Sequence, residues 1–180
     1  MTIETARLRL RLVDEQDAPA AARLMTPAIS RWLASWPSPL DEAGAAARLR
    51  RMREAAAQGQ ALCFAIERRE GGELMGLVMV VRSRHNARRG DLGYWLGEAF
   101  HHQGYMSEAA AAAVAEAFVR LDLTAIEAGA QPDNAGSLAV MRHLGMHPID
   151  ERPVWAEARG REERCVYYAV TRDEYAEQRA

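Results

Sequence analysis

The strongest constraint on this chain lies between Asp91 and Met146. An apolar run alternating at period two (Leu92, Tyr94, Leu96) predicts a strand. A turn carrying Gly97 and Gly104 follows, and then an Ala-rich segment beginning near Tyr105 that predicts a long helix. Strand, glycine-containing turn and helix together present free backbone N–H groups to an anion. The first helical N–H groups have no partner inside the helix, and the helix dipole adds partial positive charge there. Gly104 can take a positive φ and leaves room for a ligand to come close. Taken alone, the same pattern also describes an ordinary strand-to-helix connection.

A second unit of the same kind follows. Ile126-Glu127-Ala128-Gly129-Ala130 predicts a strand, and Gln131-Pro132-Asp133-Asn134 its exit. Ser137, Val140, Met141 and Leu144 then lie on a short helix that stops at Gly145, a natural helix C-terminus. Two successive strand-to-helix units with their loops at one sheet end make a cleft there.

Upstream, Arg7 to Val13 alternates Arg with Leu, so one face is buried and the arginines form a solvated face. Asp14 is an N-cap for a helix from about Glu15 to Met25, and Asp41 to Ala57 forms another helix, with a short helix and loop between them. Leu62, Phe64 and Ile66 alternate as a strand, Glu70-Gly71-Gly72-Glu73 turns the chain, and Leu74 to Val81 returns. Two further strands after Met146 are joined by Ala158-Arg159-Gly160-Arg161. The predicted order is strand, two helices, three strands, helix, strand, helix, two strands. That order predicts an α/β (α+β) fold: a mixed, mostly antiparallel central sheet of roughly six to seven strands with helices on both faces. At 180 residues the chain predicts one domain, residues 1–180, with a substantial core.

Composition narrows the class of function. The net charge is −2, which gives no reason to expect nucleic-acid binding. The N-terminus has no apolar signal segment and no run approaches membrane-spanning length, so no membrane partner is expected and a cytoplasmic protein is. Cys63 and Cys165 are far apart, which indicates neither a disulfide framework nor a zinc site. Adjacent His101 and His102 cannot easily share one ion, so no metal is expected. All 23 basic side chains are Arg, which points weakly to a bacterial source and leaves no lysine to acetylate. No Gly-x-Gly-x-x-Gly follows the first strand, which argues against a dinucleotide-dependent oxidoreductase.

Gln103-Gly104-Tyr105-Met106-Ser107-Glu108-Ala109, then Asn134-Ala135-Gly136-Ser137, then Leu144-Gly145-Met146 resemble the acetyl-CoA-binding half of the GNAT N-acetyltransferase superfamily. The likeness is greatest to the branch of the RimJ and RimL ribosomal-protein N-terminal acetyltransferases. Thr5-Ala6-Arg7-Leu8-Arg9-Leu10-Arg11 resembles that branch's first strand, so the likeness spans essentially the whole chain. It implies a GNAT-like sheet, acetyl-CoA as cosubstrate, and a primary amine as acceptor, either a protein N-terminus or a small molecule. A homodimer is implied only by analogy.

The resemblance also assigns roles residue by residue. Backbone N–H groups from His102 through Gln103, Gly104, Tyr105 and Met106 to Ser107 are expected to hold the pyrophosphate. The family pattern there is Gln/Arg-x-x-Gly-x-Gly/Ala; this chain departs from it with His101 at the first position and Met106 at the last. His101 can still donate a hydrogen bond, and the Met106 side chain must point away from the phosphates. A splay or bulge at Tyr94, Trp95 and Leu96 is expected to expose a backbone N–H to the thioester carbonyl while pantetheine pairs alongside. Many family members use a Tyr as acid for the departing thiolate; the matching position here is Met141, and Ser137, one turn earlier on the same face, takes the role in the RimJ/RimL-like branch. Asn134 is both an N-cap and a pantetheine-holding residue by the same analogy. Trp32 and Trp36 are candidates for the acceptor pocket, or plain core plugs. Glu98 and Glu157 are candidate bases for the amine. Met141 at the tyrosine position keeps one alternative open, a non-catalytic acyl-CoA-binding sensor or interaction module on the same fold.

Overall fold

A computed structural model describes residues 1–179. The chain opens on β1 (Thr2–Glu4) and β2 (Leu8–Leu12). A 3-10 turn (Glu15–Asp17), α1 (Ala18–Leu24), α2 (Pro27–Ser30) and α3 (Glu42–Ala57) follow. Next come β3 (Ala61–Arg68), β4 (Leu74–Arg82) and β5 (Arg89–Leu96). Helix α4 (Tyr105–Arg120), β6 (Ala125–Ala130), α5 (Ala135–His143), β7 (His147–Ala156), β8 (Arg161–Thr171) and α6 (Arg172–Glu177) complete it.

All eight strands form one sheet in the order β1-β2-β3-β4-β5-β6-β8-β7. Every pairing is antiparallel except β5 with β6. The mixed, mostly antiparallel sheet with helices on both faces is as expected; its strand count and order differ in detail. The additional strand is β1, three residues paired with Arg9–Arg11 and too short to show a period of its own. Helix α6 was also not expected, although Thr171-Arg172-Asp173-Glu174 carries a capping box that the structure uses. The expected helix from Glu15 starts as a 3-10 turn, because Asp14 and Asp17 cap each other's backbone there and Pro19 then opens α1.

Two apolar cores lie on opposite sheet faces. Leu8, Phe64, Ile66, Val78, Leu96 and Ile126 pack against the alanine face of α4, together with Val140, Met141 and Leu144 of α5. On the other face, Cys63, Ala65, Leu77 and Trp95 pack against α1, α2 and α3. Small residues on α4 (Ala109, Ala110, Ala113, Ala117), all fully buried, let that helix lie close to the sheet.

The parallel pairing of β5 and β6 is brief. It runs from Arg89↔Ala125 to Asp91↔Glu127 and stops, while β5 continues to Leu96 and stays in register with β4 throughout. The two strands therefore part at their C-terminal ends, where α4 and α5 begin. That parting makes the cleft.

Candidate active site

A cavity of about 600 Å³ fills the gap between the parted strands. Its walls come from Leu92 to Leu96 of β5, Gly129 and Ala130 of β6, the turn before α4, the first turns of α4 and α5, Ile29 of α2, and Trp32 and Leu33 just after it. Gly129 lets the Tyr167 ring of the paired strand β8 lie close over β6, where a Cβ would meet it at 2.5 Å.

The turn before α4 is shaped as an anion cradle. Gly104 is the N-cap with φ 77°, in the left-handed region, and no side chain caps the helix. The first intrahelical bond runs from Glu108 N–H to Gly104 C=O, which leaves the N–H groups of Tyr105, Met106 and Ser107 without helical partners. His102 also has a positive φ, 60°, unusual for a residue with a side chain. Met106 packs in the core against the sheet and also contributes to the cavity lining. His101 and His102 both line the cavity, but His101 Nε2 lies 2.9 Å from the Leu96 carbonyl, to which it donates. Gln103 donates its side-chain amide to the Ala99 carbonyl at 2.9 Å and lies off the cavity wall.

Arg7 stands over this turn. Its guanidinium donates to the Glu108 carboxylate at 2.7 Å and to the Gln103 carbonyl at 2.9 Å, and it stacks 4.5 Å from the Tyr105 ring centre. Arg7 is exposed, as the Arg/Leu alternation predicts for that face. Nothing in the sequence marks its partner, which lies 101 residues away.

The opposite wall carries the hydroxyl. Asn134 accepts the Ser137 N–H at 3.1 Å and so caps α5. Ser137 Oγ donates to the Tyr94 phenol oxygen at 3.0 Å, and the phenol donates to the Ser137 carbonyl at 3.2 Å. Both side chains line the cavity. Burial pushes the Tyr94 phenol up to about 12, a rise the Ser137 hydrogen bond only partly offsets. Met141, one turn further along α5, is fully buried.

Trp32 lines the far end of the cavity, with Arg31 stacked 4.4 Å over it. Trp36 does not line it: the ring is 5% exposed and packs edge-on against Trp95 at 5.3 Å, in the core beneath α3. Of the two tryptophans, Trp36 is the core plug. Its neighbouring loop is fastened by the β7–β8 turn, where Arg159 donates to the Ser30 and Leu33 carbonyls at 2.8 Å each and the Ala158 N–H to the Ala34 carbonyl at 2.9 Å. The sequence marks Ala158–Arg161 as the turn between two strands, and nothing in it signals these contacts.

Neither expected carboxylate reaches the cavity wall. Glu98 is exposed and accepts a hydrogen bond from Thr26, because the 3-10 turn after β5 swings it outward. Glu157 is exposed at the tip of the last hairpin. Asp133, in the loop before α5, does lie on the wall. Among the described residues no group of three or more His, Cys, Asp or Glu is arranged to hold a metal ion, and no helix is long and apolar enough to cross a membrane.

A parallel strand pair parts over a helix N-terminus with uncapped N–H groups, and a hydroxyl stands on the facing wall, an arrangement suited to an anionic ligand lying along the cleft. Residues 7–147 match the family described as the acetyltransferase (GNAT) domain, and the chain belongs to that family. It is similar to the uncharacterized N-acetyltransferase p20 of Bacillus licheniformis, 26% identical over 97% of this chain and 98% of that protein. Among solved structures it is similar to RimJ of Mycobacterium smegmatis in complex with CoA-disulfide, with TM-score 0.81, 25% identity, and 93% and 83% of the two chains covered. The ribosomal-protein-S5-alanine acetyltransferase of Vibrio fischeri shares the fold, with TM-score 0.81 and 20% identity over 97% and 98% of the chains. The chain is accordingly an N-acetyltransferase.

Proposed function

We propose that this chain moves the acetyl group of acetyl-CoA to a primary amine by direct attack within a ternary complex. The observation that carries the reading is the Ser137 hydroxyl, held on the wall of a cavity that runs from the phosphate-type turn at Gly104 to Trp32. In this reading the N–H groups of Tyr105, Met106 and Ser107, with those of His102 to Gly104, take the pyrophosphate. The β5 edge at Tyr94–Leu96 takes pantetheine and the thioester carbonyl. Asn134 presents Ser137 by capping its helix turn, and Ser137 donates to the departing thiolate. Trp32 shapes the acceptor end.

The acceptor is a protein N-terminus or a small-molecule amine. The names of the RimJ- and S5-alanine-type relatives favour the first. Glu98 and Glu157 act in this scheme only through water, since both lie off the wall.

The test is a thermal-shift titration with acetyl-CoA, CoA and NADH at matched concentration. A ligand at about a hundred times its Kd stabilises by roughly 2.7 kcal/mol, easily seen in a melting curve. A rise with the CoA species alone supports the cosubstrate; no rise with either overturns the reading. A thiol-release screen over N-terminal peptides and small amines then finds the acceptor. Ser137→Ala separates an enzyme from an acyl-CoA sensor: an enzyme loses kcat at unchanged CoA affinity, and a sensor loses nothing.

A further inference from the structure

The phenol of Tyr94 has no part in the scheme above, where only the β5 backbone is used, yet it is tied twice to a single residue. It accepts from Ser137 Oγ at 3.0 Å and donates to the Ser137 carbonyl at 3.2 Å, across 43 residues of sequence. Tyr94 stands on β5 and Ser137 on α5, so this pair of bonds bridges the two sides of the cleft just where β5 has left β6. Asn134 holds the Ser137 N–H from below. The backbone N–H, the carbonyl and the hydroxyl of Ser137 are therefore all engaged, two of the three by one phenol.

We propose that Tyr94 is a positioning residue for thiolate departure, holding the Ser137 hydroxyl on the cavity wall and stabilising its oxygen as its proton turns toward sulfur. The proposal rests on the assignment of Ser137 to the leaving thiolate. In the resting arrangement the serine proton points at the phenol. When it turns to sulfur, the phenol proton turns from the Ser137 carbonyl to the Ser137 oxygen, with no heavy atom displaced. Each hydrogen bond in such a chain polarises the next, so a serine that accepts from a phenol is a better donor than one that accepts from nothing. In the reaction the N–C bond forms and the C–S bond breaks with its electron pair going to sulfur. Sulfur takes its proton from Ser137, the acylated nitrogen loses one to solvent water, and water returns one to the Ser137 oxygen, so both hydroxyls end the cycle un-ionised. The raised phenol is suited to this part: it stays a hydrogen-bonding neutral group throughout the range in which amines are acylated.

Tyr94→Phe keeps the ring and its packing and removes only the oxygen, so folding is not at risk, and an unchanged CoA-dependent rise in Tm checks it. With saturating amine, Tyr94→Phe is expected to lower kcat about tenfold at unchanged KM for acetyl-CoA, the pattern of an interaction made in the transition state. Ser137→Ala lowers kcat further, and the double variant is no slower than Ser137→Ala alone, because the phenol then has no hydroxyl to act on. A merely structural role moves Tm or KM and multiplies with the serine variant. Full activity in Tyr94→Phe beside an impaired Ser137→Ala overturns this proposal and leaves the serine assignment standing. Full activity in Ser137→Ala overturns both.

Discussion

Arg7, in the bend just before β2, and Glu108, in the first turn of α4, are joined at 2.7 Å, and the same guanidinium reaches the Gln103 carbonyl at 2.9 Å. The chain's N-terminal segment thus fixes the turn that bears Gly104 and sets a positive charge beside it. Arg7→Ala is expected to weaken CoA binding by about tenfold while leaving kcat at saturation nearly unchanged. Isothermal titration against CoA, set beside steady-state kinetics, checks the split.

Glu108 is drawn toward the neutral form by burial, but its hydrogen bonds from the Thr5 hydroxyl and the Arg7 backbone and side chain outweigh this and hold its carboxyl below its ordinary 4.5. A depressed carboxyl contributes stability that is present above the ordinary value and lost as pH falls through the folded one. Glu108→Gln is therefore expected to melt lower than the parent at pH 7, and the gap to close as the pH is taken below about 4.5. Melting temperatures from pH 7 to 3 on both proteins test the sign.

The two tryptophans of the α2–α3 connection are expected to separate cleanly. Trp36→Ala removes a buried ring packed on Trp95 and should cost about 3–5 kcal/mol of stability. Trp32→Ala should alter acceptor KM and leave Tm within a few degrees, because that ring is only partly buried and faces the cavity. Denaturant melts and acceptor titrations distinguish them.

Because Glu98 and Glu157 sit off the cavity wall, Glu98→Gln and Glu157→Gln are each expected to keep kcat within about threefold across pH 7–9. A loss of a hundredfold in either, rescued at high pH, would identify it as the base and require a rearranged hairpin or turn in the complex.

Cys63 lies fully buried on β3, and burial pushes its thiol up to about 12. Cys165 is also buried and its thiol raised, by burial first and by the nearby Glu163 second. Native protein at pH 8 is expected to release almost no colour from a disulfide reagent, and two equivalents once unfolded.

Features set by local pattern were legible in the sequence. The strand-turn-helix at Gly104 and the capping of α5 by Asn134 both follow from neighbours a few residues apart. What escaped depends on long-range pairing. Arg7 looked like any other arginine on an alternating strand until the sheet brought it over α4. Tyr94 stands in the sequence as a member of the apolar alternation and of the expected splay, since no spacing rule links its phenol to a serine 43 residues on. Trp32 and Trp36 share one loop and one side-chain type; only the three-dimensional packing sends one to the cavity and the other under α3. Arg159 is the same case, a turn residue whose work lies at Ser30 and Leu33.

The three-rung contact between β5 and β6 makes this protein, in a literal sense, an incomplete sheet. Leu92–Leu96 and Ala128–Ala130 diverge without pairing with each other, so the scaffold's two halves are zipped on one side of the cleft only. In the proposed mode of binding, a ligand whose amides lie along the open edge would add the missing rungs and stabilise the whole fold by its occupancy. Resistance of the folded chain to proteolysis is then expected to increase when such a ligand is bound.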